Sequence, residues 1–209
     1  WFVPGDRLIR PLALGFSGIL FLLSLGILFQ FDPSSAQLQL VERMPWVSSL
    51  GISYFVGIDG ISLWLVLLKT FLLPITILGS WTAIGKQVRG FHVSIFLLAT
   101  TMLGTFLAFD AVLFYVFFEA SLIPMYFIIG IWGGQRRVYA TVKFFIYTMF
   151  GSLFMLIGII ALMTMTQALE GGNVSASILD FYKLDIPFVG GSLLNTQTLL
   201  FFAFSLAFA

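Results

Sequence analysis

Apolar residues fall along this chain in runs of about 20, separated by short polar clusters. A helix covers hydrocarbon at 1.5 Å per residue, so a run of that length is a transmembrane candidate. Five full spans are predicted, at residues 11–31, 58–83, 91–109, 110–132 and 139–165. A sixth begins near 193–198 and is still apolar at Ala209, too short to cross. Pro11 opens the first span at a permitted first-turn position. Between the first two spans, residues 37–42 partly alternate and 51–56 are strand-like, which predicts a small hairpin. A polar connection from 166 to 196 follows the fifth span; it contains Gly171 and Gly172, and 177–185 is expected to lie flat as a short amphipathic helix. No repeat with a period of 20–50 residues stands out. The fold class expected is an all-α integral membrane protein, a polytopic helix bundle.

Composition narrows the chemistry. Of 209 residues, 60% are hydrophobic and 9% charged, against about a quarter charged in a soluble domain. Cysteine is absent and there is one histidine, so thiolate, iron–sulfur and clustered-histidine metal sites are excluded within the chain. No basic run points to nucleic acid, and no glycine-rich loop after a strand points to a nucleotide. No signal peptide stands apart from the later spans. Trp1 is not an initiator and the last residues are mid-helix in character, so the chain is expected to be incomplete.

Charge placement orients the spans. Loops 1–10, 85–90 and 133–138 hold Arg7, Arg10, Lys86, Arg89, Arg136 and Arg137 against Asp6. The opposite side holds Asp32, Glu42, Asp59, Asp110, Glu170, Asp180 and Asp185 against Arg43 and Lys183. Six basic residues to two places the first set on the cytoplasmic or matrix side.

Three ionisable residues fall inside spans. Glu119 lies about 12 Å from the outer end of the fourth span and Lys69 about 15 Å into the second. Lys143 is about one turn inside the fifth. An ionisable group at such depth costs at least a few kcal/mol and is a functional-site hypothesis by default. Burial favours a neutral carboxyl and a nearby cation the anion, so a site that gains and loses a cationic partner loads and releases a proton. The alternative for Glu119 is a protonated carboxyl that glues helices together. Pro124, five residues on, frees the carbonyl of Ala120; Pro74 does the same in the second span, and either marks a simple kink or a broken helix lining a wet cavity. Lys69 either pairs with a carboxylate or is buried without one. Lys143 is read first as snorkelling to the interface. His92, beside a basic turn, is an interfacial polar residue or part of a proton wire. Asp59 and Asp110 are read as solvated or capping groups.

The stretches GIDGISLWLVLL (57–68), LFYVFFEASLIPMYFIIGIWGG (113–134) and KFFIYTMFGSLFMLIGIIAL (143–162) closely resemble subunit 4, chain M in bacteria, of proton-pumping NADH:quinone oxidoreductase, respiratory complex I. The family is related to Mrp-type sodium/proton antiporter subunits. The resemblance implies an antiporter-like fold of two inverted five-helix repeats, each with one broken helix. Residues 1–108 would hold the first helices and the outer linker, and 109–209 the start of the proton-translocating domain. Glu119 falls on the family's membrane-embedded Glu, which faces a Lys on the following broken helix; here the match stops at 204–209, just short of that Lys. Lys69 departs from the family, whose corresponding position is usually uncharged.

The implied function is coupling of electron transfer from NADH to quinone to proton translocation through a buried Glu/Lys relay, with Glu119 central, Lys69 and Lys143 as further candidates, and Pro124 and His92 supporting. The implied partners are other membrane-arm subunits, neighbouring antiporter-like subunits and the lipid bilayer, in a bacterial plasma membrane or mitochondrial inner membrane. No flavin, cluster or quinone is expected in this chain. The competing readings are an Mrp-type Na+/H+ antiporter subunit driven by ion gradients and a structural spacer without transport.

Overall fold

A computed structural model describes residues 6–169, 173–186 and 195–208. Helices α1 (Asp6–Gln30), α2 (Gly60–Gly79), α3 (Val88–Leu107), α4 (Ala111–Trp132) and α5 (Arg137–Met165) carry the chain back and forth. All five are long and apolar enough to cross a membrane. In hydrocarbon every backbone N–H and C=O must be satisfied internally, which is why such runs become helices. Strands β1 (Gln39–Val47) and β2 (Ile52–Ile58) pair antiparallel between α1 and α2, forming the expected hairpin. The short helix α6 (Ile178–Phe181) lies within the predicted amphipathic segment, and α7 (Thr196–Phe208) is the start of the sixth apolar run. Residues 1–5 of the interfacial segment, Glu170, Gly171 and Gly172 lie outside the described residues.

α1 begins at Asp6, so Pro11 is inside the helix and not in its first turn. The cost is one missing backbone bond near a helix end. α2 and α4 run as continuous helices through Pro74 and Pro124, so neither proline breaks its helix. Neighbouring turns of backbone absorb the lost bond, as is common in membrane helices.

The bundle packs in sequence order, α1 on α2, α2 on α3, α3 on α4, α4 on α5, and α5 on α7. Small side chains make these approaches close. Ala13, Ser17 and Ser24 are buried on α1, and the Ser24 and Thr70 hydroxyls meet at 2.7 Å between α1 and α2. Gly104 of α3 faces the ring of Phe117 on α4, with no room for a Cβ. Gly158 of α5 faces Phe204 of α7, and Gly151 faces the backbone at Leu206 and Ala207.

The two ends of the bundle are built differently. At the basic end, Arg10 donates from Nη2 to the Ile84 carbonyl (2.7 Å) and Trp132 donates from Nε1 to the Lys86 carbonyl (2.8 Å). At the other end the chain is stitched backbone to backbone. Phe109 N–H donates to Phe55 O, Ala111 N–H to Ala176 O, Ala176 N–H to Gly51 O and Ile178 N–H to Phe109 O, at 2.8–3.1 Å. The hairpin, the α3–α4 turn and the segment before α6 thus form one cap. Gly51 sits in it at φ +65°, with the Val174 carbonyl where a Cβ would stand. A side chain there is opposed both by conformation and by contact.

Candidate functional site

α4 begins where Asp110 caps it. Oδ1 accepts from the N–H groups of Val112 (3.0 Å) and Leu113 (3.1 Å). Oδ2 accepts from the Ser53 N–H (2.8 Å) and hydroxyl (3.3 Å) on β2. The side chain is 0% exposed. Asp110 is therefore a capping group, and the expectation of a solvated one fails: the hairpin folds over it. Asp59 caps α2 in a capping box with Ser62 and remains half-exposed.

From Asp110, α4 rises to Glu119. One carboxylate oxygen, Oε1, is buried and has no hydrogen-bond partner. A buried carboxylate oxygen without a donor is costly, so this atom is a place where a proton, a water or a cation has work to do. Tyr115, one turn earlier on the same helix, packs against the cluster that holds Met155 and Ile159 of α5, and Ser152 is one turn before Met155. Ser152 is 1% exposed. The aromatic side of this region is dense: Phe114 stacks with Phe118 at 6.3 Å, and Phe118 meets Phe208 of α7 edge-on at 6.2 Å. Beside it an apolar cleft of about 390 Å³ runs between α3, α4, α5 and α7, and none of its lining residues is ionisable.

The other sequence candidates are not gathered around Glu119. Among the described residues the one ion pair is Lys183–Asp180, at 2.7 Å in the hairpin cap. Lys69 is half-buried on α2 and has no carboxylate partner there. α3 lies between α2 and α4, which separates Lys69 from Glu119. Lys143 is exposed on α5. His92 is buried, 5% exposed. α3 starts at Val88, so His92 lies one turn inside; its Nδ1 donates to the Val88 carbonyl (2.8 Å) and its ring meets Phe91 edge-on. Pro124 is buried within α4, one to two turns beyond Glu119. Among the described residues no three His, Cys, Asp or Glu side chains gather closely enough to hold a metal ion.

Sequence reasoning passed over Tyr115, Ser152 and the burial of Asp110. The i, i+4 spacing of Tyr115 and Glu119 was a usable signal for the first. The other two depend on residues far away in the chain.

Comparison with known proteins agrees with this architecture. Residues 10–110 match the family model described as NADH-ubiquinone oxidoreductase chain 4, amino terminus. Residues 108–209 match the one described as NADH:quinone oxidoreductase/Mrp antiporter, TM. NADH-quinone oxidoreductase subunit M of Rhodobacter capsulatus is 43% identical over 206 residues, which is 98% of this chain and 39% of that protein. NADH-ubiquinone oxidoreductase chain 4 of Arabidopsis thaliana is 44% identical over 168 residues, 79% of this chain and 34% of that protein. The chain thus spans about two fifths of the length of these curated relatives. Among solved structures, a chain of respiratory complex I from Thermus thermophilus with bound NADH superposes with TM-score 0.74 at 28% identity, covering 96% of this chain and 39% of that one. A chain of the Mrp complex from Dietzia sp. DQ12-45-1b superposes with TM-score 0.72 at 20% identity, covering 97% of this chain and 21% of that one, a likeness of fold. The two family models together span residues 10–209, the aligned relatives are named as subunit M or chain 4 of NADH-quinone or NADH-ubiquinone oxidoreductase, and the helices superpose: the chain belongs to the NADH:quinone oxidoreductase chain 4/Mrp antiporter family of membrane subunits.

Proposed function

We propose that this chain is part of a proton-translocating membrane subunit of NADH:quinone oxidoreductase, with Glu119 as the group that is loaded and unloaded. The observation that carries the reading is the buried, unpartnered Oε1 of a carboxyl in the middle of an apolar helix. The names of its relatives support the choice of complex. On this reading the carboxyl exchanges a proton as a cation approaches and leaves, since a nearby cation favours the anion. The approach of a cation favours release. No amine among the described residues pairs with Glu119, so the cation comes from elsewhere in the assembled complex.

The energy scale is adequate. Moving one charge through 100 mV costs about 2.3 kcal/mol. Coulomb coupling between groups several Å apart inside a protein, about 4 kcal/mol at 4 Å and an effective dielectric of 20, is of that order. Redox energy then reaches Glu119 through the charges of neighbouring membrane-arm subunits, with no redox centre in this chain. Loops 1–10, 85–90 and 133–138 face the cytoplasm or the mitochondrial matrix, following the basic residues. Lys69 and Lys143 remain secondary relay candidates, Lys69 the stronger because it is half-buried.

The test is Glu119→Gln in the whole complex, with NADH oxidation and proton movement measured in sealed vesicles. The variant is expected to assemble and to lose most proton translocation. A normal proton yield per NADH refutes the assignment. An Mrp-type antiporter reading draws on the shared fold. It requires proton exchange against sodium with no NADH present, and purification without electron-transfer subunits.

A further inference from the structure

The run from Phe114 to Phe118 carries one hydroxyl, on Tyr115. Packing alone would be served by phenylalanine, as it is at Phe114, Phe117 and Phe118. The hydroxyl is placed one helical turn before Glu119, on the same face of an unbroken helix. The Tyr115 ring packs against the α5 cluster that holds Met155 and Ile159. Ser152 is one turn before Met155 on that helix and is buried. Its hydroxyl donates to the Met149 carbonyl at 2.9 Å, which leaves its lone pairs free to accept.

We propose that Tyr115 is a positioning residue for the Glu119 carboxyl, acting as a two-way hydrogen-bond partner with Ser152 as its alternative acceptor. This rests on the reading of Glu119 as a proton carrier. When Glu119 is ionised, the Tyr115 O–H donates to the carboxylate. When Glu119 is protonated, its own O–H donates to the Tyr115 oxygen, and the Tyr115 O–H turns to the Ser152 oxygen. Each state gives the Tyr115 hydroxyl and one carboxyl oxygen a partner, and Tyr115 keeps its proton throughout. The partner thus lowers the cost of both states of a carboxyl whose other oxygen is unpartnered. Both groups are fixed on helices, so no backbone movement is needed.

The readout is the carboxyl C=O stretch of Glu119 in acid-minus-neutral infrared difference spectra of the whole complex, identified by its loss in Glu119→Gln. Tyr115→Phe is expected to move the band upward, as a carboxyl without an acceptor does. The ionised form loses the stronger of the two bonds, so the variant should also displace the equilibrium toward the protonated form by about 10-fold, the difference between a charged and a neutral hydrogen bond. Ser152→Ala should move the band in the same direction by less. A band unmoved in both variants overturns the proposal, and so does the absence of any titrating Glu119 band in the parent. If Tyr115→Phe fails to assemble, the band in Ser152→Ala decides alone. Proton yield separates the two levels of the argument. Normal pumping in Glu119→Gln defeats the proposed function, whereas an unmoved band beside a dead Glu119→Gln defeats only the role of Tyr115.

Discussion

Replacing Asp110 by Ala removes four acceptor contacts from a site with no solvent access. Loss of the helix cap costs about 1 kcal/mol. The Ser53 N–H is then left buried without an acceptor, at about 1–3 kcal/mol. The sum, about 2–4 kcal/mol, is a large fraction of a domain's total stability, which is about 5–15 kcal/mol. Water cannot substitute freely, because Ser53, Ala111, Ala176 and Ser177 are all buried around the carboxylate. The assay is hydrogen exchange in the detergent-solubilised complex, followed at the amides of Ser53, Phe109 and Ala176. If opening of the hairpin cap is easier by about 2–4 kcal/mol, exchange there accelerates by roughly 30- to 1000-fold. Asp110→Asn should fall between the two, since Asn keeps the capping oxygen but turns an N–H toward the Ser53 N–H. Asp59→Ala serves as the comparator: it removes a half-exposed cap that water can replace, and should cost about 1 kcal/mol. Exchange at Ser53 in Asp110→Ala within a few-fold of the parent, or no greater than the effect of Asp59→Ala on its own helix, would refute the reasoning.

Two further predictions concern the same cap. Gly51→Ala, opposed by φ +65° and by the Val174 carbonyl, should destabilise the cap by at least about 1–3 kcal/mol, seen as faster proteolysis within residues 39–58. The Lys183 ammonium, helped by the Ser175 hydroxyl, holds the Asp180 carboxyl below its ordinary value of 3.8. A lowered folded value means the stabilisation is complete above that ordinary value and is lost as pH falls through the lowered one. Protection from exchange around residues 175–182, with the intrinsic pH dependence of amide exchange divided out, should therefore be steady from pH 5 to pH 8 and fall only in acid, and Lys183→Ala should weaken that acid-dependent fall.

The alternation of spans was legible because hydrocarbon leaves a backbone few choices. The predicted span at 139–165 matches α5 (Arg137–Met165) to within two residues at its start. The hairpin was legible from partial alternation on one strand and a glycine before the other. Boundaries at polar turns were less so: α2 ends at Gly79, four residues before the apolar run does, and residues 80–83 turn toward the basic end. Hydropathy does not distinguish a helical turn from an irregular one. Glu119 stood out because a lone carboxylate in an apolar run has no inexpensive explanation. Tyr115 did not, because a tyrosine among phenylalanines is ordinary until α5 packs against it and brings Ser152 to the same region.

Composition and pattern alone determined that this chain belongs in a membrane, where its five span candidates lie, and which residue among them demands an explanation. Tertiary structure decided which charges meet. It put α3 between Lys69 and Glu119, buried His92 beneath its own helix start, and closed the hairpin over Asp110. The reason lies in range. Insertion into lipid is set residue by residue along one helix, whereas the partner of a polar group is set by chains that return from elsewhere: Ser53, 57 positions away from Asp110, carries no local mark of the carboxylate it will meet.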